Sequence, residues 1–186
     1  MSESITLRIV GVSPLLLHNG QLADPINPTS KAMKVISGKR DKTDADHEEL
    51  SRLEFFGGLY LDNGKPCIPG EVIESAFVSG AKKSKRGKLA TAGVICPDNC
   101  ILEFDGPQDI SERFKKGFVL RASVKIGQNR VMRTRPKFDA WSCNVTLVFD
   151  NKVLNRQDII DILRTTGNDV GLCDWRPKFG RFTIVE

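Results

Sequence analysis

The chain predicts an α+β fold built on a split strand–helix–strand frame. An opening strand and a later one carry apolar side chains at every second position, and an amphipathic helix follows each. A short last strand after the second of those helices closes the frame.

The opening strand covers 5–12, with Ile5, Leu7 and Ile9 on one face and Thr6 and Arg8 on the other. Ser13-Pro14 ends it, and an apolar run closes at Asn19-Gly20. Residues 23–40 hold two prolines and little periodicity, which predicts a surface loop with a single helical turn. Thr43 caps a helix over 44–56, whose acidic first turn suits the positive end of the helix dipole. A short strand at 59–61 and a turn at Asp62-Asn63-Gly64 lead to a second helix over 71–83. Short strands are expected near 92–96, 100–104, 118–126 and 129–134. Cys143, Val145, Leu147 and Phe149 share one face of a strand over 142–149. Asn155 caps a helix over 156–167, and the last strand covers 181–185. That order is the βαββαβ of a ferredoxin-like or RNA-recognition-motif-like core with inserted loops and hairpins. The expected organisation is one domain over 1–186, with insertions at 21–58 and 84–140.

Composition narrows the function classes. The 186 residues are 40% hydrophobic and 27% charged, with no apolar run of membrane-spanning length and no secretory signal at the start. A cytoplasmic location is expected, with no membrane partner. Five cysteines at irregular spacing, with His18 and His47 far from the Cys96–Cys100 pair, predict buried reduced thiols rather than disulfides or zinc. No phosphate-binding loop, dinucleotide fingerprint or nucleophile elbow occurs, so neither a cofactor nor a metal is expected.

The net charge of +5 conceals a strong segregation. Windows 81–88, 130–137 and 176–181 hold twelve of the 28 basic residues and no acid. The rest of the chain carries 16 basic residues against 23 acidic ones. Concentrated cations point to a polyanion. The candidate phosphate contacts are Lys82, Lys83, Lys85, Arg86 and Lys88, then Arg130, Arg133, Arg135 and Lys137, with the arginines of the second window alternating along one side of a strand. The run from Gly171 to Gly180 adds Arg176 and Lys178, with Arg181 beyond it, around Trp175 and Phe179. Cations, flat rings and bare backbone are what a strand with splayed bases requires. Phe138 and Trp141 are further stacking candidates, although tryptophan more often packs than stacks.

Three segments together resemble the RAMP superfamily, whose members include backbone subunits and processing nucleases of CRISPR effector complexes. They are Ser13-Pro14-Leu15 through Leu17-His18-Asn19-Gly20 after the first strand, Lys65-Pro66-Cys67-Ile68-Pro69-Gly70 entering a helix, and the loop from Gly171 to Gly180-Arg181-Phe182. Glu71-Val72 stands where the family has small hydroxyl residues. The resemblance implies a ferredoxin-like core that binds single-stranded RNA along its sheet and loops and assembles side by side. Single-stranded DNA is the alternative ligand. The leading expectation is therefore a non-enzymatic subunit of a CRISPR-type ribonucleoprotein or a homo-oligomer. The chain's shortness suits a reduced, phage-encoded member. Two alternatives stand beside it. One is a phage protein that joins or blocks a CRISPR complex, as an anti-CRISPR or decoy. The other is a metal-independent guide-processing endoribonuclease with His18 as base, which lacks an evident second histidine or tyrosine beside it.

Overall fold

A computed structural model describes residues 2–185. In chain order the first elements are β1 (Ser2–Gly11), β2 (Leu15–Leu16), α1 (Pro28–Ser37) and α2 (Asp44–Gly58). Then come β3 (Leu61–Asp62), β4 (Lys65–Ile68), α3 (Gly70–Lys83), α4 (Gly87–Gly93), β5 (Val94–Ile95), β6 (Cys100–Ile101) and β7 (Glu103–Phe104). The last are α5 (Ile110–Lys115), β8 (Val119–Ile126), β9 (Asn129–Phe138), β10 (Trp141–Asp150), α6 (Arg156–Thr165) and β11 (Phe182–Val185). They divide into two compact units. The first comprises Met1–Leu15, Leu61–Asp105 and Phe138–Glu186, and the second Leu16–Tyr60 and Gly106–Lys137.

The first unit is the α+β frame. Its sheet runs β11-β1-β10-β5 with every neighbour antiparallel. In the order of the six-element frame that is 4-1-3-2, the ferredoxin-like arrangement expected from sequence. Period-two alternation sets its inner face. Trp141, Cys143, Val145, Leu147 and Phe149 are all buried, and Leu147 and Cys143 stand opposite the buried Ile5 and Ile9 of β1. α3 contributes Ile73, Ala76 and Phe77 to the core, and α6 contributes Ile159, Ile162 and Leu163. The two helices pack against each other, where a Cβ on Gly80 would stand 2.1 Å from Thr166 Oγ1. Asn155 and Asp158 form a capping box that starts α6. Five residues after α6, Thr166–Val170, widen into a π-turn before the C-terminal loop.

The outer face of β1 and β10 carries Thr6, Arg8, Ser142, Asn144 and Thr146. The Thr6 and Thr146 hydroxyls share a hydrogen bond of 2.9 Å, and Arg8 is paired with Glu103. These are polar side chains without a ring, so the sheet presents no aromatic platform there.

The second unit packs α2 against the β8–β9 hairpin. Phe55 and Phe114 meet at 5.1 Å, and Leu17 and Leu59 are buried. Arg113 is buried beneath, donating to the carbonyls of Pro107 and Lys137 and lying 4.4 Å from the Phe118 ring. Three helices depart from the sequence expectation: the seven-residue α4 of the first unit, where no helix is expected, and α1 and α5 in this one. Residues 23–40 hold the ten-residue α1, because Asn27 accepts from the Thr29 and Ser30 N–H groups and Pro28 sits at N1, where it needs no donor. α5 has no counterpart among the expected elements, and the Asp109 side chain caps it. β9 also runs four residues beyond its expected end at 134.

Candidate nucleic-acid interface

The C-terminal loop is shaped by backbone that glycine alone, or strain, can supply. Gly171 and Gly180 have φ of 76° and 73°, and Cys173 and Trp175 also enter the left-handed region at 61° and 54°. A Cβ on Gly180 would lie 2.1 Å from the Leu172 carbonyl oxygen. The Gly180 N–H donates to the Pro14 carbonyl at 2.8 Å, and the Arg181 N–H donates to Ser13 Oγ at 2.9 Å. The Val12 N–H in turn donates to the Arg181 carbonyl. Two of the three segments singled out in the sequence, 168 residues apart, are thus stitched together. Arg176 and Lys178 project from this loop as exposed cations, and Arg181 is exposed with its Nε donating to the Pro177 carbonyl. Trp175 and Phe179 remain half-buried, 6.1 Å apart and tilted by 50°, with Lys178 Nζ 5.6 Å from the Phe179 ring.

The window 81–88 covers the C-terminal end of α3, the turn after it and the start of α4. The Arg86 N–H reaches the Ala81 carbonyl and the Lys85 N–H the Lys82 carbonyl, which is a Schellman motif. Its left-handed position, normally glycine, is Lys85 at φ 61°. Lys82, Lys83, Lys85 and Lys88 are exposed. Arg86 is instead tied to Asp158 at the start of α6. Lys88 lies in α4, which runs into Val94 opposite Phe149, whereas the Arg181 loop meets β1 where Val10 faces Ser142. The seven steps along the strand from Ser142 to Phe149 cover about 23 Å, so these two basic windows lie toward opposite ends of the sheet.

The window 130–137 behaves differently. The β8–β9 register puts Arg130 on the face opposite Arg133 and Arg135, so the expected one-sided stripe of three arginines does not form. Arg133 donates to Glu54 at 2.6 Å, and the same carboxylate accepts the Thr134 N–H at 2.6 Å. Glu54 is 5% exposed and Arg135 8%. Lys137 is half-buried, and its carbonyl is the acceptor of Arg113. Phe138 and Trp141 are buried, with Trp141 Nε1 donating to the Ser13 carbonyl at 2.9 Å. Neither ring can receive a base.

His18 is exposed, and its backbone carbonyl accepts the Tyr60 hydroxyl at 3.0 Å. A tyrosine 42 residues away is not evident from sequence, because the stretch between them gives no sign that the chain returns. All five cysteines are free thiols, four of them buried. Burial pushes the Cys67 thiol to about 11, and hydrogen bonding with the Cys143 thiol, together with burial, pushes Cys100 to about 12. Among the described residues no three histidine, cysteine or acidic side chains are placed to hold a metal ion, and no helix is long and apolar enough to cross a membrane.

No protein-family model matches the chain, and no curated protein is similar to it in sequence. Among solved structures the chain is similar to Cmr6 from Pyrococcus furiosus, at 11% identity over 100% of this chain and 99% of that one, with a TM-score of 0.45. A likeness that distant carries no functional weight, and the fold assignment rests on the strand order of the sheet.

Proposed function

We propose that this protein binds single-stranded nucleic acid, RNA in preference to DNA, in the manner of a CRISPR backbone subunit assembling side by side along the strand. The observation that carries the reading is the loop from Gly171 to Arg181. Exposed Arg176, Lys178 and Arg181 surround the Trp175–Phe179 pair on a backbone held in four left-handed positions. Strain of that kind at non-glycine residues costs about 1–3 kcal/mol each, which favours a ligand-facing role over a connector. The exposed lysines of 82–88 support it as a second phosphate-contacting patch, tolerant of base sequence. The preference for RNA, and the CRISPR context, rest on the resemblance in sequence alone.

The test is binding of a labelled single strand to protein carrying charge reversals at Lys83 and Lys85 together with Arg176 and Lys178. Affinity is expected to fall by about tenfold or more at moderate salt. The salt dependence should flatten by about 0.7 for each phosphate that is no longer neutralised. Unchanged affinity in the combined variant removes the reading.

The nearness of Tyr60 to His18 favours a second reading, a metal-independent guide-processing endoribonuclease. Cleavage of a hairpin RNA in chelator, abolished in His18→Ala, would establish it. Intact RNA after prolonged incubation would remove it.

A further inference from the structure

The second unit contains a cavity of about 640 Å³ between α1, α2 and the β8–β9 hairpin. Its size is that of a small-molecule site rather than a packing defect. Lys34, Lys42, Arg121, Arg130 and Arg133 line it, and Glu54 is its one carboxylate. That carboxylate is already occupied, because it accepts both the Arg133 guanidinium and the Thr134 N–H. Ser51 and Thr134 likewise satisfy each other through a buried hydroxyl pair at 2.8 Å. These contacts lock β9 onto α2 and make a rigid wall. None of the other four cations has an ion-pair partner among the described residues. Lys42 has only the Lys39 carbonyl, at 2.7 Å.

The hairpin adds an electrostatic conflict. Lys125 stands directly opposite Arg130, and the alternation puts both on the face that carries Arg121. Like charges directly opposite each other on a sheet are destabilising, and no described acid relieves this pair. A multiply charged anion in the cavity would offset the Arg130 side of that pair, since Arg130 lines it. Leu22, Met33, Leu50 and Met132 line the same space, and Met132 is a large apolar side chain left 55% exposed. A bare inorganic anion leaves those side chains unused.

From the unpaired cations, the occupied carboxylate and the apolar lining, we infer that this cavity is a nucleoside-phosphate site. The arginines and Lys34 take the phosphates, and the methionine and leucine side chains take the sugar and base. Guanidinium groups suit the role because their planar fork matches phosphate oxygens. The ligand is either a free nucleotide or the phosphorylated terminal nucleotide of a strand. The inference does not rest on strand binding by the first unit.

The test is calorimetric titration of the whole chain with inorganic phosphate, AMP and ATP. A parallel binding assay uses one short RNA with a 5′-phosphate or a 5′-hydroxyl. ATP is expected to bind most tightly and inorganic phosphate most weakly. Arg121→Glu with Arg130→Glu should lower ATP affinity by about tenfold or more, as the loss of charge-assisted hydrogen bonds predicts. Lys152→Glu, at an exposed cation of the first unit outside every basic window, should leave it unchanged. Both arginines are exposed and unpaired, so the first double variant should melt no lower than the parent, and Arg130→Gln supplies a milder second test. Saturable ATP binding with indifference to the RNA end identifies a free nucleotide. A preference for the 5′-phosphate that vanishes in the arginine variant identifies a strand terminus. No saturable binding of any probe, or binding that survives both arginine variants, overturns the inference. Loss of strand binding alone, with ATP retained, counts against the strand-binding function and not against this site.

Discussion

The end of α3 and the strand β9 look alike in sequence and do opposite things. Each holds a run of eight residues, 81–88 and 130–137, rich in lysine and arginine with no acid in it. At the end of α3, four lysines stand in solvent, and one of them occupies a left-handed position that glycine would fill without strain. In β9, Arg135 is buried, and a carboxylate 79 residues away claims Arg133. Charge density along a chain therefore marks where cations are concentrated. Which of them remain free for a ligand is decided by strand parity and by acids brought from elsewhere.

The sharpest way to break the comparison is to remove the distant acid. Glu54→Gln leaves Arg133 without its counter-charge and weakens the acceptor of the Thr134 N–H, so a loss of about 2–3 kcal/mol is expected in urea denaturation. Reversing Lys83 and Lys85 should cost almost nothing in the same measurement. Comparable losses in the two variants would erase the distinction.

Gly180→Ala asks whether the C-terminal loop is as fixed as its backbone implies. The added methyl meets the Leu172 carbonyl and φ is 73°, so a destabilisation of about 2 kcal/mol is expected. Weaker protection should show in amide hydrogen exchange at Gly180 and Arg181. Full protection in the variant would show that the loop tolerates a side chain there.

Lys85→Gly sharpens the contrast from the other side. Relieving the left-handed lysine should stabilise the protein by about 1 kcal/mol while weakening single-strand binding. Stabilisation without a change in binding would mean that the lysine is not held there for a ligand.

The smallest expected effect lies at the start of α2. The Lys39 ammonium and the Thr43 N–H hold the Asp46 carboxyl down at about 2, below its usual 3.8. A depressed folded-state value stabilises fully above the ordinary carboxylate range, and the contribution is lost as pH falls through about 2. Amide signals of Thr43 and Asp46 should therefore shift between pH 4 and pH 2, and Asp46→Asn should flatten that change. A titration midpoint near 3.8 would mean that Lys39 does not engage the carboxylate.

Much of the frame is legible in the residue order. β10 announces itself by apolar side chains at every second position, and α6 by Asn155 with Asp158 three residues on. α1 is hidden because two prolines read as loop, although Asn27-Pro28 is also a helix start. The basic windows are visible in the sequence, but their availability is not. Parity separates Arg130 from Arg133 and Arg135 once the strand is known. Nothing local to β9 points to Glu54.

Local chemistry alone therefore determined the alternation of the sheet, the caps, the glycine turns and the segregation of positive charge, since each is encoded within a few neighbouring residues. Tertiary structure alone decided that Ser13 and Pro14 hold the Gly180 turn, that Trp141 is buried against Ser13, and that four unpaired cations gather around one cavity. Those contacts join residues far apart in sequence. Their free energies depend on burial and on opposing charges, which exist only after the chain has folded.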